Sequence, residues 1–179
     1  MYHMHRAQRG GPGRSADPRI GRGDRHFPSG KLTGMADHTT DDTQAPFGLR
    51  LRVYWEDTDA GGIVYHANYV KFMERARSDW LRALGLGQRQ LREQSGGMFV
   101  VTGMSLRYLA PARLDDELLV TAGLQSAGRA SLTMLQQVLR IDPRGNVPLC
   151  DAQVRIGWVG AETMRPSRIP DYILEKLSS

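Results

Sequence analysis

"NYVKFMERARSDWLRALG", residues 68–85, decides how the chain folds. Tyr69, Phe72, Met73, Ala76, Trp80 and Leu84 recur at intervals of three and four, which draws one apolar stripe along a helix. Gly85 then offers the helix a C-terminal cap. Such a helix is roughly 25 Å long at about 1.5 Å per residue, enough to lie along a whole sheet. Glu74 falls off the stripe and is placed to pair with Arg77 in solvent, rather than to act as a helix-borne catalytic carboxylate.

Upstream, Leu49, Leu51, Val53 and Trp55 alternate with Arg50, Arg52 and Tyr54, the period of a half-buried strand. Downstream, the polar stretch "GLGQRQLREQSGG" reads as a loop, and strand-like segments follow with no second long helix between them. Met98, Val100, Thr102, Met104, Leu106 and Tyr108 alternate with their neighbours. "DDELLVTAGLQ" and "SLTMLQQVLRI" flank "SAGRA", and "DPRGN" leads into Ala152, Val154, Ile156 and Trp158. Short glycine-containing connections imply antiparallel neighbours. "PDYILEKL" behind Pro170 reads as a short terminal helix.

One helix must bury its stripe against one sheet, and a twisted five-stranded sheet can curl around a helix of this length. The fold class is therefore α+β, a hot-dog arrangement in which an antiparallel sheet wraps one long central helix. A ferredoxin-like sandwich would require a second core helix between later strands. Open edges and an exposed outer face predict self-association.

The chain has 179 residues, a length that suits one domain with some to spare. Its net charge of +5 would ordinarily suggest a nucleic acid or an anionic membrane as partner. Seven of the 24 basic residues and two of the 19 acidic ones precede Met35, however, so 17 of each sign remain for the rest. A nucleic-acid partner is not expected. Residues 1–34 are rich in Gly, Pro and Arg, nearly lack aliphatic side chains, and are expected to be disordered. They contain no apolar signal region, and their glycines and prolines oppose an amphipathic transit helix. Either they form a flexible basic arm, or they lie upstream of a true start at Met35, the reading favoured by the ordinary polar run that follows. The division expected is thus an N-terminal extension over 1–46 and a domain over 47–179.

No run approaches the ~20 apolar residues of a membrane span, so no membrane insertion is expected. The single cysteine, Cys150, allows no internal disulfide and fits a reducing, cytoplasmic compartment. It stands at a strand start without a neighbouring His or Lys, and reads as a buried bystander thiol rather than a nucleophile.

Between the first strand and the helix lies "EDTDAGGIVYHA", residues 56–67. Aspartates favour turns and acids favour helix starts, so part of this cluster needs no catalytic explanation. The Gly61-Gly62 pair nevertheless allows unusual backbone angles and close approach of a ligand. A helix start offers unpaired N–H groups and roughly half a positive charge. Thioester hydrolysis needs an oxyanion holder and a group that attacks or activates water. Backbone N–H groups around His66 could serve as the first, and a carboxylate opposite them as the second. His66 is the only histidine after His38, though a lone histidine before a helix is often merely structural. Carboxylates also suit Mg²⁺, but Gly61, Gly62 and the apolar residues beyond provide no further ligands, so no metal is expected. "DTDAGG" faintly matches the nucleophile loop of haloacid-dehalogenase-type phosphatases, whose alternating parallel-sheet plan is missing.

"YWEDTDAGGIVYHANYVKFMERAR" followed by "LAPARLDDEL" resembles the hot-dog acyl-CoA thioesterases of the 4-hydroxybenzoyl-CoA thioesterase superfamily, specifically the Tol-Pal-associated YbgC type. The likeness runs from about Leu49 to Pro166. It implies that Asp59 is the catalytic nucleophile or general base, and that the His66 backbone N–H polarises the thioester carbonyl with the imidazole as a second contributor. Trp55 stands where such relatives often carry tyrosine, which leaves a hydroxyl role there in doubt. Tyr65 and Tyr69 are expected to line an acyl pocket at the helix start together with Trp55 and Asn68, and Arg129 in "SAGRASL" to touch a CoA phosphate. The resemblance further implies a homotetramer built from dimers, an acyl-CoA substrate and no separate cofactor. The alternative is a non-enzymatic hot-dog protein that binds acyl carrier protein or cell-envelope partners.

Overall fold

A computed structural model describes residues 46–178. The extension expected over 1–46, its disorder and the start at Met35 fall outside the described residues, apart from Pro46. Five strands form one sheet: β1 (Phe47–Arg52), β2 (Gly97–Tyr108), β3 (Glu117–Ala127), β4 (Ser131–Arg140) and β5 (Val147–Gly160). The helices are α1 (Asn68–Ala83), α2 (Gln88–Ser95) and α3 (Asp171–Ser178). The sheet order is β1-β3-β4-β5-β2, and every pairing is antiparallel. The sequence-derived plan of a strand, a long helix and four antiparallel strands therefore holds, and the fold is a hot-dog.

Helix α1 begins at Asn68 and buries Tyr69, Phe72, Met73, Ala76 and Leu81. Trp80 and Leu84, expected on the stripe, lie half-buried against the same core. Gly85 closes the helix as expected: its φ is +70°, its N–H donates to the Arg82 carbonyl, and the next N–H, of Leu86, donates to Leu81. That pair of bonds is a Schellman motif, which a left-handed glycine makes without strain.

Facing α1, the inward residues alternate along each inner strand: Leu118, Val120 and Ala122; Leu132, Met134 and Val138; Ala152, Val154, Ile156 and Trp158. Register shifts at Val101/Gly103, Leu124/Ser126 and Val138/Leu139 sharpen the curl around the helix. Two polar side chains belong to this interior. Arg77 donates to Gln136 Oε1 at 2.7 Å and to Glu74 Oε2 at 2.6 Å, while the Gln136 amide donates to the Met73 and Thr121 carbonyls at 3.1 Å each. The Glu74–Arg77 pair is thus formed, but the arginine is buried and only the glutamate is exposed.

Two sequence expectations need correction. Residues 88–95, read as part of a polar loop, form α2; Leu91 is its one buried residue, too little to show a helical period. Trp55 does not extend the first strand's alternation. It is 79% exposed in a 3-10 turn over Trp55–Asp57, because the Asp57 carboxylate accepts the Tyr54 N–H and the Asp57 N–H returns to the Tyr54 carbonyl. Local side-chain capture has displaced the ladder.

Candidate active site

The segment between β1 and α1 folds back on itself. Asp59 N–H donates to the Ile63 carbonyl at 2.9 Å, Gly62 N–H donates to the Asp59 carbonyl at 3.0 Å, and Thr58 bridges Val64. This is a three-residue hairpin loop whose last residue must be left-handed; Gly62 fills that place at φ +71°. Inside the loop, Asp59 Oδ1 accepts the Gly61 N–H at 2.8 Å. Asp59 is exposed, and its Oδ2 has no hydrogen-bond partner among the described residues. The loop therefore holds the carboxylate by one oxygen and leaves the other available.

The second motif braces the first. Val64 N–H donates to Ala112, Ile63 bridges Arg113, Val53 N–H donates to Asp116, and Asp115 N–H returns to Val53. Tyr69, buried on α1, uses its hydroxyl to accept the Ala112 N–H at 2.9 Å. Burial pushes the Tyr69 phenol above its ordinary range, against the lowering effect of that bond. "LAPARLDDEL" thus acts here as the clamp on the hairpin and on the start of α1.

At the helix start, no side chain caps Ala67. Asn68 instead ties the helix down: its N–H donates to the Tyr65 carbonyl at 2.8 Å, and its buried side-chain amide donates to the Asp57 carbonyl at 2.9 Å. Tyr65 N–H meets the same Asp57 carbonyl at 2.9 Å. The His66 carbonyl accepts the Tyr108 hydroxyl at 3.0 Å. Neither the His66 N–H nor the Ala67 N–H has an acceptor among the described residues. Two consecutive donors are left open at the positive end of a 16-residue helix, the arrangement that suits a developing oxyanion.

The residues expected at the site fall into two places. Asp59, Tyr65, His66, Asn68, Tyr69 and Trp55 are all on or beside this hairpin. Tyr65 is half-exposed with its ring 4.4 Å from that of His66, whereas Asn68 and Tyr69 are buried and engaged with backbone groups. Arg129 lies elsewhere. Arg52 pairs with Glu117 at the hairpin end of β3, while Arg129 is exposed in the turn after Ala127 at the other end. Eleven residues of β3 separate the two ends, about 35 Å at ~3.3 Å per residue. One protomer does not bring Arg129 to Asp59. Tyr108, which the sequence marked only as one more alternating position of a strand, touches the site through the His66 carbonyl. Cys150 is buried in β5 opposite Tyr108, and burial raises its thiol to about 11.

A strand-hairpin-helix site on a hot-dog scaffold defines a class. The model for the thioesterase-like superfamily matches residues 53–177, and the chain belongs to that family. Within it, the chain is 41% identical over 128 residues to the acyl-CoA thioester hydrolase YbgC of Escherichia coli O6:H1, covering 72% of this chain and 92% of that protein. It is 38% identical over 127 residues to the acyl-CoA thioesterase YbgC of Haemophilus influenzae, covering 71% and 90%. A probable thioesterase from Bartonella henselae superposes with a TM-score of 0.64 at 34% identity, over 70% of this chain and all of that one. A 4-hydroxybenzoyl-CoA thioesterase solved with 4-hydroxybenzoyl-CoA shares the fold at a TM-score of 0.69 and 20% identity, over 73% and 96%.

Proposed function

We propose that this chain hydrolyses acyl-CoA thioesters to the free acid and CoA. The observation that carries the reading is the pair of open N–H groups at His66 and Ala67, preceded in the chain by a hairpin that presents the Asp59 carboxylate with one oxygen unengaged. The names of the YbgC relatives support the substrate class.

In this reading the thioester oxygen sits on the helix-start N–H groups, which hold the negative charge that develops on it. Asp59 Oδ2 either takes a proton from the attacking water or attacks the carbonyl itself. By the first route, the hydroxide adds, the C–S bond breaks and the thiolate of CoA takes up the proton. By the second, the C–S bond breaks to expel the thiolate of CoA and leave an acyl-aspartyl anhydride, which water then opens to acid and the restored carboxylate, the remaining proton of the water going to the thiolate. The His66 imidazole is a second contributor beside the open donors. Trp55 and Tyr65, both exposed at this end, line the path of the acyl group, while Asn68 and Tyr69 shape it from beneath.

The active form in this reading is a homo-oligomer built from dimers, and Arg129 reaches the CoA phosphates of a site on another copy, consistent with its place at the far end of the sheet. This reading also admits acyl carrier protein as thioester donor in place of CoA. A cytoplasmic location accords with the single free thiol of Cys150; among the described residues no helix is long and apolar enough to cross a membrane.

Thiol release from acyl-CoAs of graded chain length and from benzoyl-CoA, measured on wild type and Asp59→Asn together, is the test. Turnover by wild type that falls about 10²–10⁴-fold in the variant is expected, the range that a positioned acid–base group contributes. Folded wild type inert on every thioester would overturn the hydrolase reading in favour of an acyl-binding role.

A further inference from the structure

We propose that Tyr108 is a positioning residue that sets the second of the two open N–H groups. The inference rests on the reading of the helix start as an oxyanion site and adds a part to it. A trans peptide is planar, with its N–H pointing opposite to its C=O. Fixing a carbonyl therefore fixes the N–H of the following residue. The Tyr65 carbonyl is held by the Asn68 N–H, which sets the His66 N–H. The His66 carbonyl is held by the Tyr108 hydroxyl at 3.0 Å, which sets the Ala67 N–H. The first hold is local and follows from helix geometry. The second comes from 42 residues away in the chain, from the last residue of β2.

Tyr108 is itself well supported for this task. Its backbone is paired with Cys150 in the sheet, and its ring meets the Tyr69 ring edge-on at 5.5 Å. Tyr69 is 3% exposed and anchored by the Ala112 N–H. The phenol thus hangs on the buried frame and reaches out to one carbonyl. Burial raises its pKa above the ordinary 10, so it stays a proton donor through the neutral range. It acts on the substrate only through the peptide it orients.

The test is Tyr108→Phe, which keeps the ring against Tyr69 and removes only the hydroxyl. Expected are a roughly tenfold fall in kcat with KM changed less than about twofold, as for a donor misaligned rather than deleted. An unchanged thermal midpoint and an unchanged shape of the pH–rate profile should accompany it. Structure is read independently of turnover. His-Ala occurs once in the chain, at His66–Ala67, so protein carrying carbonyl-labelled histidine and nitrogen-labelled alanine gives a single peptide resonance. That resonance should move in Tyr108→Phe and stay in place in Arg144→Ala, a change in the exposed turn between β4 and β5. A resonance that does not move overturns the proposal, as does an unchanged kcat, or a kcat that falls only in step with a lower thermal midpoint. If Asp59→Asn abolishes turnover while Tyr108→Phe leaves it intact, the hydrolase reading survives and this one fails. If wild type hydrolyses nothing yet the resonance moves, the holding role of Tyr108 survives and the hydrolase reading fails.

Discussion

Gly62 shows how much of the site depends on one backbone angle. A Cβ there would meet no atom within 4 Å, so only its φ of +71° opposes a side chain. Gly62→Ala should therefore cost about 1–2 kcal/mol, the left-handed penalty of an ordinary residue, and Gly62→Asn less. Urea unfolding measures the first quantity. Turnover should fall with it, because the same loop delivers the Gly61 N–H that steadies Asp59. Cys150 makes a second residue-scale prediction. Its thiol is raised from an ordinary 9.0 to about 11, so the folded state holds the proton more tightly than the unfolded one. Stability tied to that proton is intact below pH 9 and is lost as pH climbs through 11, by on the order of 2–3 kcal/mol. The thermal midpoint of wild type should drop across that window more than that of Cys150→Ala, and the native thiol should resist alkylation at neutral pH.

Among the elements, α1 is held to the sheet by more than its apolar stripe. Gln136→Leu preserves volume but strands an Arg77 N–H and takes one hydrogen-bond donor from each of the Met73 and Thr121 carbonyls. A loss of about 2–4 kcal/mol is expected in denaturant unfolding, and the double variant with Arg77→Leu should recover part of it, since the buried guanidinium left one hydrogen bond short goes too. The sequence made α1, β1 and the four later strands legible because each buries one face and so repeats with the period of its element. It hid α2, whose single buried Leu91 repeats nothing, and it placed Trp55 on a strand that the Asp57 carboxylate had already ended. Individual residues divide the same way. Asp59 and His66 stand in one short motif, which alone made them candidates. Tyr108, Arg77 and Gln136 owe their roles to partners 42 to 63 residues distant, and no local spacing encodes such a meeting.

For the whole molecule, the separation of Arg129 from Asp59 along β3 gives the proposed oligomer a testable part in the chemistry. Arg129→Glu should raise KM for a CoA thioester severalfold and leave kcat nearly unchanged. Mixed with Asp59→Asn subunits and reassembled, it should yield oligomers in which part of the activity shows the wild-type KM, because some sites then pair an intact Asp59 with an intact Arg129 from another copy. A KM that stays wholly at the Arg129→Glu value would assign each site to a single chain.

The hairpin and the helix start lie within one unbroken run, residues 53–69, which bonds to its own sequence neighbours except where residues 108–116 clamp it. In the proposed reaction the chemistry is consequently carried as a cassette. Strands β2 to β5 supply the wall against which it is pressed and, apart from the reach of Tyr108, none of its working atoms. Changes of substrate size can accumulate in that wall without disturbing the reaction, so a lineage built on this plan can diversify in appetite while its catalytic segment stays fixed.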